Sequence, residues 1–407
     1  RGLFMNCVTL ELKDSDGTIY KVDENIESSQ LIINDDVISN ICKKMKIKTL
    51  SQLSLKLGVN NMALIIKDYT LTDIVYIEEF YDIKSYISIF QTKNINVHIT
   101  GQTIQTLQAD CKSILLGECH IDNLQIGMFH VMEETKTIYK MDKMDLRDVT
   151  IVNLDIYAEC KDINIQRCNI TELNNIGNML KDVTSTVSSL HLWQNTNIGK
   201  MSIMNVVEEF KIEDSSINRL SARAKLFIDK LIVTDSTIEN CYEFKKEDFK
   251  NPTYDSWQWI EKSADNAKDL KKRADANYQM AKALYSTEKK GDKIVSNLFD
   301  FCAGYGYKPL RVIRTSGVIV LLNTFILTII KVISILSVKA IPINATSICK
   351  GFEVIWKNFL IAFATLAGQI SFLMEDGLPY WLSIIEYLIG VILFAMFVNA
   401  LYARYKE

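Results

Sequence analysis

The spacing of apolar residues changes several times along this 407-residue chain, and each change predicts a different element. Near the start, Val8-Thr9-Leu10-Glu11-Leu12 alternates, and so does Thr18-Ile19-Tyr20-Lys21-Val22. Asp14-Ser15-Asp16-Gly17 stands between them, so period-two runs flank an acidic glycine turn and predict a β-hairpin. From Val37 to Leu57 the apolar residues fall at helical spacing and predict a helix. The Asp-Ser-Asp-Gly stretch lacks the longer ligand pattern of a calcium loop and reads as a plain turn. Residues 1–92 are expected to form a small mixed α/β module.

From about Asn94 a short pattern recurs: a polar residue, Ile, two further residues, then Leu or a close substitute. It reads Thr103-Ile104-x-x-Leu107, His120-Ile121-x-x-Leu124, Thr150-Ile151-x-x-Leu154 and Asn169-Ile170-x-x-Leu173. It continues as Asn197-Ile198-x-x-Met201, Ser216-Ile217-x-x-Leu220 and Thr237-Ile238-x-x-Cys241. Successive isoleucines stand 17, 30, 19, 28, 19 and 21 residues apart, and a period near twenty is the mark of stacked coils. Alternating runs such as Asn94–Ile99, Lys161–Ile165 and Lys230–Val233 flank the units. Small residues, Cys119, Cys168, Ser215 and Ser236, precede several units and suit a narrow bend. Residues 93–247 are therefore expected to be a β-solenoid, of right-handed β-helix type, with inward Ile, Leu and Val stacked coil upon coil. The two long steps predict loop insertions around Glu133–Asp145 and Asn178–Ser188.

Tyr254–Asp300 is rich in Ala, Lys, Asp and Glu, with apolar residues at helical spacing, so residues 248–308 read as a helical connector. Gly304-Tyr305-Gly306 follows, just ahead of an apolar span and beside Lys308, Arg311 and Arg314. That position suits a turn feeding a membrane helix, not a selectivity filter. Between Arg314 and Lys339 only Lys331 is charged, and between Leu378 and Ala403 only Glu386. Both runs are long enough to cross a hydrocarbon core of about 30 Å. Val354–Ile370 is apolar but shorter and reads as a re-entrant helix plus loop, tolerated at depth only if protein or water covers its backbone. Residues 309–407 are thus expected to be a two-transmembrane pore domain.

Basic residues flank the first span and follow the second at Arg404 and Lys406, which predicts that the N-terminal domains and the C-terminus lie in the cytoplasm. Trp356, Tyr380 and Trp381 would form one interfacial belt, and Tyr402 and Tyr405 the other. Lys331 is expected to snorkel outward and Asn323 is a further polar point in the first span. Span, half-inserted helix and span is the plan of a pore module, which implies a homotetramer in an inner (plasma) membrane, with the lipid bilayer and monovalent cations as partners.

The net charge of −3 argues against nucleic acid as a partner. Nine cysteines, an odd number without a Cys-x-x-Cys pair, argue against a disulfide framework or a zinc ribbon. The N-terminal part is expected in a reducing cytosol; no signal peptide is apparent, and the chain starts at Arg1, so residues before it are expected to be missing. His98, His120, His130 and His191 have no ligand spacing, and no nucleophile–base set or phosphate loop is visible. The expectation is no enzyme, no metal and no cofactor.

The connector, the Gly304-Tyr305-Gly306-x-x-Pro309-Leu310-Arg311-Val312 stretch, the first span, the pore helix and Glu386-x-x-x-Gly390 together resemble bacterial proteins that join a pentapeptide-type repeat domain to a two-helix, potassium-channel-like domain. The resemblance covers Tyr278–Val312 and Phe359–Arg404. It implies a filter on Thr365, Leu366, Ala367, Gly368 and Gln369. Phe363 and Thr365 match the family's filter, while Ala367 to Ile370 depart from it, which implies a wider, weakly selective cation pore. Glu375 and Asp376 would ring the pore mouth, and Glu386 and Gly390 would serve gating or packing in the second span. The function so implied is a cation channel gated or assembled through its cytoplasmic solenoid by an unknown protein or small-molecule trigger. One version is a depolarising effector in antiviral defence; the alternative is a non-conducting, membrane-anchored scaffold.

Overall fold

The computed structural model describes residues 6–26, 30–57, 63–67, 69–78, 85–127, 139–176, 186–204, 206–223, 226–285, 290–336, 345–368 and 380–405. The chain divides into two compact units, residues 1–267 and 268–407. The division falls inside the stretch read as a connector.

The first unit opens with the expected hairpin. β1 (Asn6–Asp14) pairs antiparallel with β2 (Ile19–Ile26), and Asp14 Oδ1 accepts from the amides of Asp16 and Thr18 to close the turn. β3 (Gln30–Ile33) leads into α1 (Asp35–Met45), whose N-cap Asn34 accepts from the Val37 amide at 2.9 Å. The helix expected from Val37 to Leu57 ends instead at Met45. Lys46 turns left-handed at φ 57°, and Leu50–Leu57 is the strand β4. Leu53 and Leu55 alternate inward there with no exposed surface, so sheet pairing overrides the helical spacing.

Beyond this point the unit is a parallel β-solenoid. Two ladders build it. The first runs from β3 through β5 (Ala63–Lys67), β7 (Ser85–Thr100), β8 (Thr103–Gly117), β9 (His120–Ile126), β11 (Thr150–Ile156), β13 (Asn169–Ile176), β15 (Thr196–Ile203) and β17 (Ser215–Ala222) to β19 (Thr237–Tyr242). The second starts at β4 and passes through β6 (Ile74–Glu78) and the distal halves of β7 and β8. It continues through β10 (Lys140–Arg147), β12 (Glu159–Gln166), β14 (Thr186–Trp193), β16 (Val206–Glu213) and β18 (Phe227–Thr234).

Every repeat unit read from the sequence lies on the first ladder, in register. Ile104, Ile121, Ile151, Ile170, Ile198, Ile217 and Ile238 form one column. The Leu column extends further, because Leu31, Leu64 and Ile87 precede Leu107 in the same register. Strands of residues 30–92 therefore stack in the same ladders as those that follow. Facing this column, the second ladder contributes Leu55, Ile77, Ile99, Leu116, Leu146, Ile165, Leu192, Ile212 and Val233. Of the loops expected over Glu133–Asp145 and Asn178–Ser188, residues 133–138 and 178–185 lie outside the described residues, while Lys140–Asp145 and Thr186–Ser188 are strand.

The bends repeat too. Gly101, Glu118, Asp148, Arg167, Asn195, Asp214 and Asp235 all have φ between 45° and 66°. Each stands two residues before the polar residue of a unit. Where a small residue follows the bend, it turns back onto the carbonyl that precedes it. Cys119 bonds the Gly117 carbonyl at 3.1 Å, Cys168 that of Gln166 at 3.2 Å, and Ser215 that of Glu213 at 2.7 Å. The last coil is closed by α2 (Tyr254–Asn266). Trp259, 1% exposed, sits among Phe210, Phe244 and Phe249, while Lys262 and Asn266 bond the β19 carbonyls of Ile238 and Cys241. Those carbonyls would otherwise form an open sheet edge.

The second unit is helical: α3 (Leu270–Tyr285), α4 (Lys290–Ala303), α5 (Pro309–Leu336), α6 (Ala345–Leu366) and α7 (Tyr380–Tyr405). Two of these helices, over Pro309–Ile333 and Ile384–Tyr402, are long and apolar enough to cross a membrane. The segment read from Val354 is longer than expected, since α6 begins at Ala345.

Candidate functional site: a polar seam between apolar helices

Many large apolar residues of the second unit's helices face outward, while Val312, Val320, Ile361 and Leu393 are buried among them. Leu310, Phe325, Phe352, Trp356 and Phe394 are each more than 60% exposed. The faces turned toward one another carry polar groups. Thr315, Asn323 and Thr324 on α5, Asn358 and Thr365 on α6, and Glu386 on α7 are all buried. The spacing explains the alignment. Asn358 and Thr365 are seven residues apart on α6, and Glu386, Gly390 and Leu393 follow the same stripe of α7.

The groups are partly paired across helices. Asn358 donates to Thr328 Oγ1 at 3.1 Å, joining α6 to α5. Thr324, Thr328 and Thr365 return their hydroxyls to carbonyls one turn back, at 2.7, 2.7 and 2.8 Å. Asn323 is within hydrogen-bonding reach of Glu386, yet Glu386 Oε1 is buried with no partner among the described residues. Trp356 is exposed and stacked on Phe359 at 5.5 Å.

Gly390 is a point of close approach. A Cβ there would overlap the carbonyl oxygen of Leu366 and stand 3.0 Å from its carbon, so only glycine lets α7 meet the end of α6. Thr365 and Leu366 form the last turn of α6. Ala367 and Gly368 continue into a turn through amide bonds to Phe363 and Thr365, both 3.0 Å. Gln369, Glu375 and Asp376 lie outside the described residues. Beside this junction an apolar cavity of about 530 Å³ opens between α5, α6 and α7, with Gly317, Phe359, Phe363 and Phe397 on its walls.

The Gly-Tyr-Gly stretch is a turn between helices, as expected. Gly304 and Gly306 have φ of 54° and 82°. A Cβ on the first would overlap the Lys308 side chain, and one on the second would stand 2.9 Å from Asn399 of α7. Arg311 donates to Asp300 Oδ1 at 2.6 Å and to the Asp300 carbonyl at 2.7 Å, and Tyr278 donates to the same carboxylate at 3.0 Å. Burial, and then Asp300, push the Tyr278 hydroxyl above its ordinary pKa, so it stays a donor. Lys308 pairs with Asp275, and Tyr285 stacks on Tyr305 at 5.0 Å. This joint locks α3 and α4 to the start of α5.

Sequence reasoning found Asn323, Glu386 and Gly390 but missed Thr324, Thr328 and Asn358. A usable signal was present, because these polar residues interrupt apolar runs at helical spacing. Among the described residues, no cluster of His, Cys, Asp and Glu could hold a metal ion. The chain matches no protein-family model, no curated protein and no solved structure.

Proposed function

We propose that this chain is a membrane protein whose C-terminal unit forms, with other copies of itself, a weakly selective cation pore. The observation that carries the reading is Glu386: a buried carboxylate with an unpartnered oxygen, inside a bundle whose outer surface is apolar. A lone buried carboxylate is costly and is retained where it serves an ion path or a switch. The outward apolar residues suit hydrocarbon, since a water-soluble bundle places them inside.

The Thr365–Gly368 turn at the end of α6 is the constriction, and α6 acts as the half-inserted helix. Four copies around one axis would bring the Leu366–Gly390 junctions together. Glu375 and Asp376 would supply negative charge at the mouth. The solenoid is the cytoplasmic input, and the joint at Tyr278, Asp300 and Arg311 passes its movement to α5.

The test is ion flux into liposomes carrying purified full-length protein, with wild type, Glu386→Gln and Glu386→Leu compared. Wild type is expected to pass monovalent cations, and both variants to change flux at least tenfold while folding normally by circular dichroism. A monomer in detergent together with ion-tight liposomes would sink the pore and leave a membrane-anchored scaffold.

A further inference from the structure

On the solenoid surface an outward cation is matched by an acid on the neighbouring coil. Lys161 pairs with Asp142, Arg167 with Asp148, Lys200 with Glu172 and Lys230 with Glu209, each at 2.6 Å, and Lys250 pairs with Asp229 at 2.7 Å. Arg219 departs from this pattern. Arg219 stands in register with Lys200, so two like charges lie side by side on β15 and β17. Like charges directly opposite destabilise a sheet, and the fold does not require them there. Glu172 offsets Lys200, but Arg219 makes no ion pair among the described residues and lies over the Tyr242 ring at 4.2 Å. Arg223, exposed on the same edge, also has no ion pair among the described residues.

These side chains line one cleft of about 490 Å³, together with the hydroxyls of Ser202 and Ser221 and the amide of Asn174. Ser202 and Ser221 share a register row with Tyr242. Glu243 is the single further acid on the wall. Two guanidinium forks without an ion pair among the described residues, an ammonium and neutral donors line one concavity, where three cations outnumber two acids, and match phosphoryl oxygens, which accept several hydrogen bonds at once. Tyr242 is held in place by Arg219 and gives the cleft an aromatic flank.

We infer that this cleft on β13, β15, β17 and β19 binds a small polyphosphorylated anion. The site belongs to the solenoid and stands independently of the pore reading. Its chemistry fits a free nucleoside polyphosphate or a phosphorylated headgroup.

The experiment is isothermal titration of the full chain in neutral detergent with sodium tripolyphosphate and, separately, ATP, at low and high salt. Binding is expected, weaker at high salt, and at least tenfold weaker in the double variant Arg219→Gln, Arg223→Gln. Lys230→Gln, which breaks a pair on another ladder, is expected to bind as wild type. Both arginines are exposed, so circular dichroism of the double variant should match wild type. Competition by phosphatidylglycerol in mixed micelles would assign the same phosphate chemistry to a lipid headgroup, and no competition would assign it to a free anion. No binding of either anion at millimolar concentration and low salt, or binding untouched by the double variant, would overturn the inference.

Discussion

Cys168 follows Arg167, whose φ of 49° bends the chain from β12 into β13. The bend leaves room for a small side chain that also bonds the Gln166 carbonyl. Burial pushes this thiol up from its ordinary 9.0 to about 11, and the thiols of Cys160 and Cys241 to about 12. In the unfolded chain the same thiols ionise near their ordinary value. A group raised in the folded state contributes stability that is complete below the unfolded pKa and is lost as pH rises through the folded one. Melting temperature is therefore expected to hold from neutral pH to about 9 and to fall above it. Cys168→Ser keeps a hydroxyl at the bend and removes one titration, so it should flatten that fall. Melts from neutral to alkaline pH check this, and a slope unchanged by the substitution would reject a titrating Cys168.

Among whole elements, α6 and α7 meet where Gly390 faces Leu366, and α5 and α6 are joined by Asn358 and Thr328. Gly390→Ala must separate α7 from α6, because the obstructing atom is backbone. A loss of roughly 1–3 kcal/mol is expected, in line with overpacking elsewhere, read as a lower melting temperature in detergent. Gly317→Ala is the control: nothing lies within 4 Å of its Cβ position, and alanine favours the helix. If both variants melted alike, the close approach at Gly390 would lose its importance. The apolar periods of these helices were readable in the sequence. Which faces meet was not, since a run apolar on all sides gives no preferred face and the few polar residues set it only once three helices are assembled.

For the molecule as a whole, stability in a solenoid is nearly a sum over coils and their neighbours, so the ends decide solubility. The hairpin β1–β2 lies at one end and α2 at the other. A fragment ending at Ala267 keeps Trp259, Lys262 and Asn266 on the last coil, and it is expected to be soluble with a β-type circular dichroism spectrum. A fragment ending at Glu243 exposes the carbonyls of β19 and the ring of Phe210, and is expected to aggregate. Size-exclusion chromatography of the two distinguishes them; equal solubility would remove the capping role of α2.

The sequence by itself determined the first ladder, because an inward Ile and Leu must recur at each coil and so leave a visible period. It also determined the opening hairpin, the helical stretch after Tyr254 and the two long apolar helices. The second ladder left a weaker trace, since Met144, Ile163, Leu190, Phe210 and Leu231 share a column but not a residue type. Only the tertiary structure decided that Leu50–Leu57 is a strand, that α2 closes a sheet edge, and that Glu386 meets Asn323. Each of these depends on partners far away in the chain, and local spacing carries no record of them.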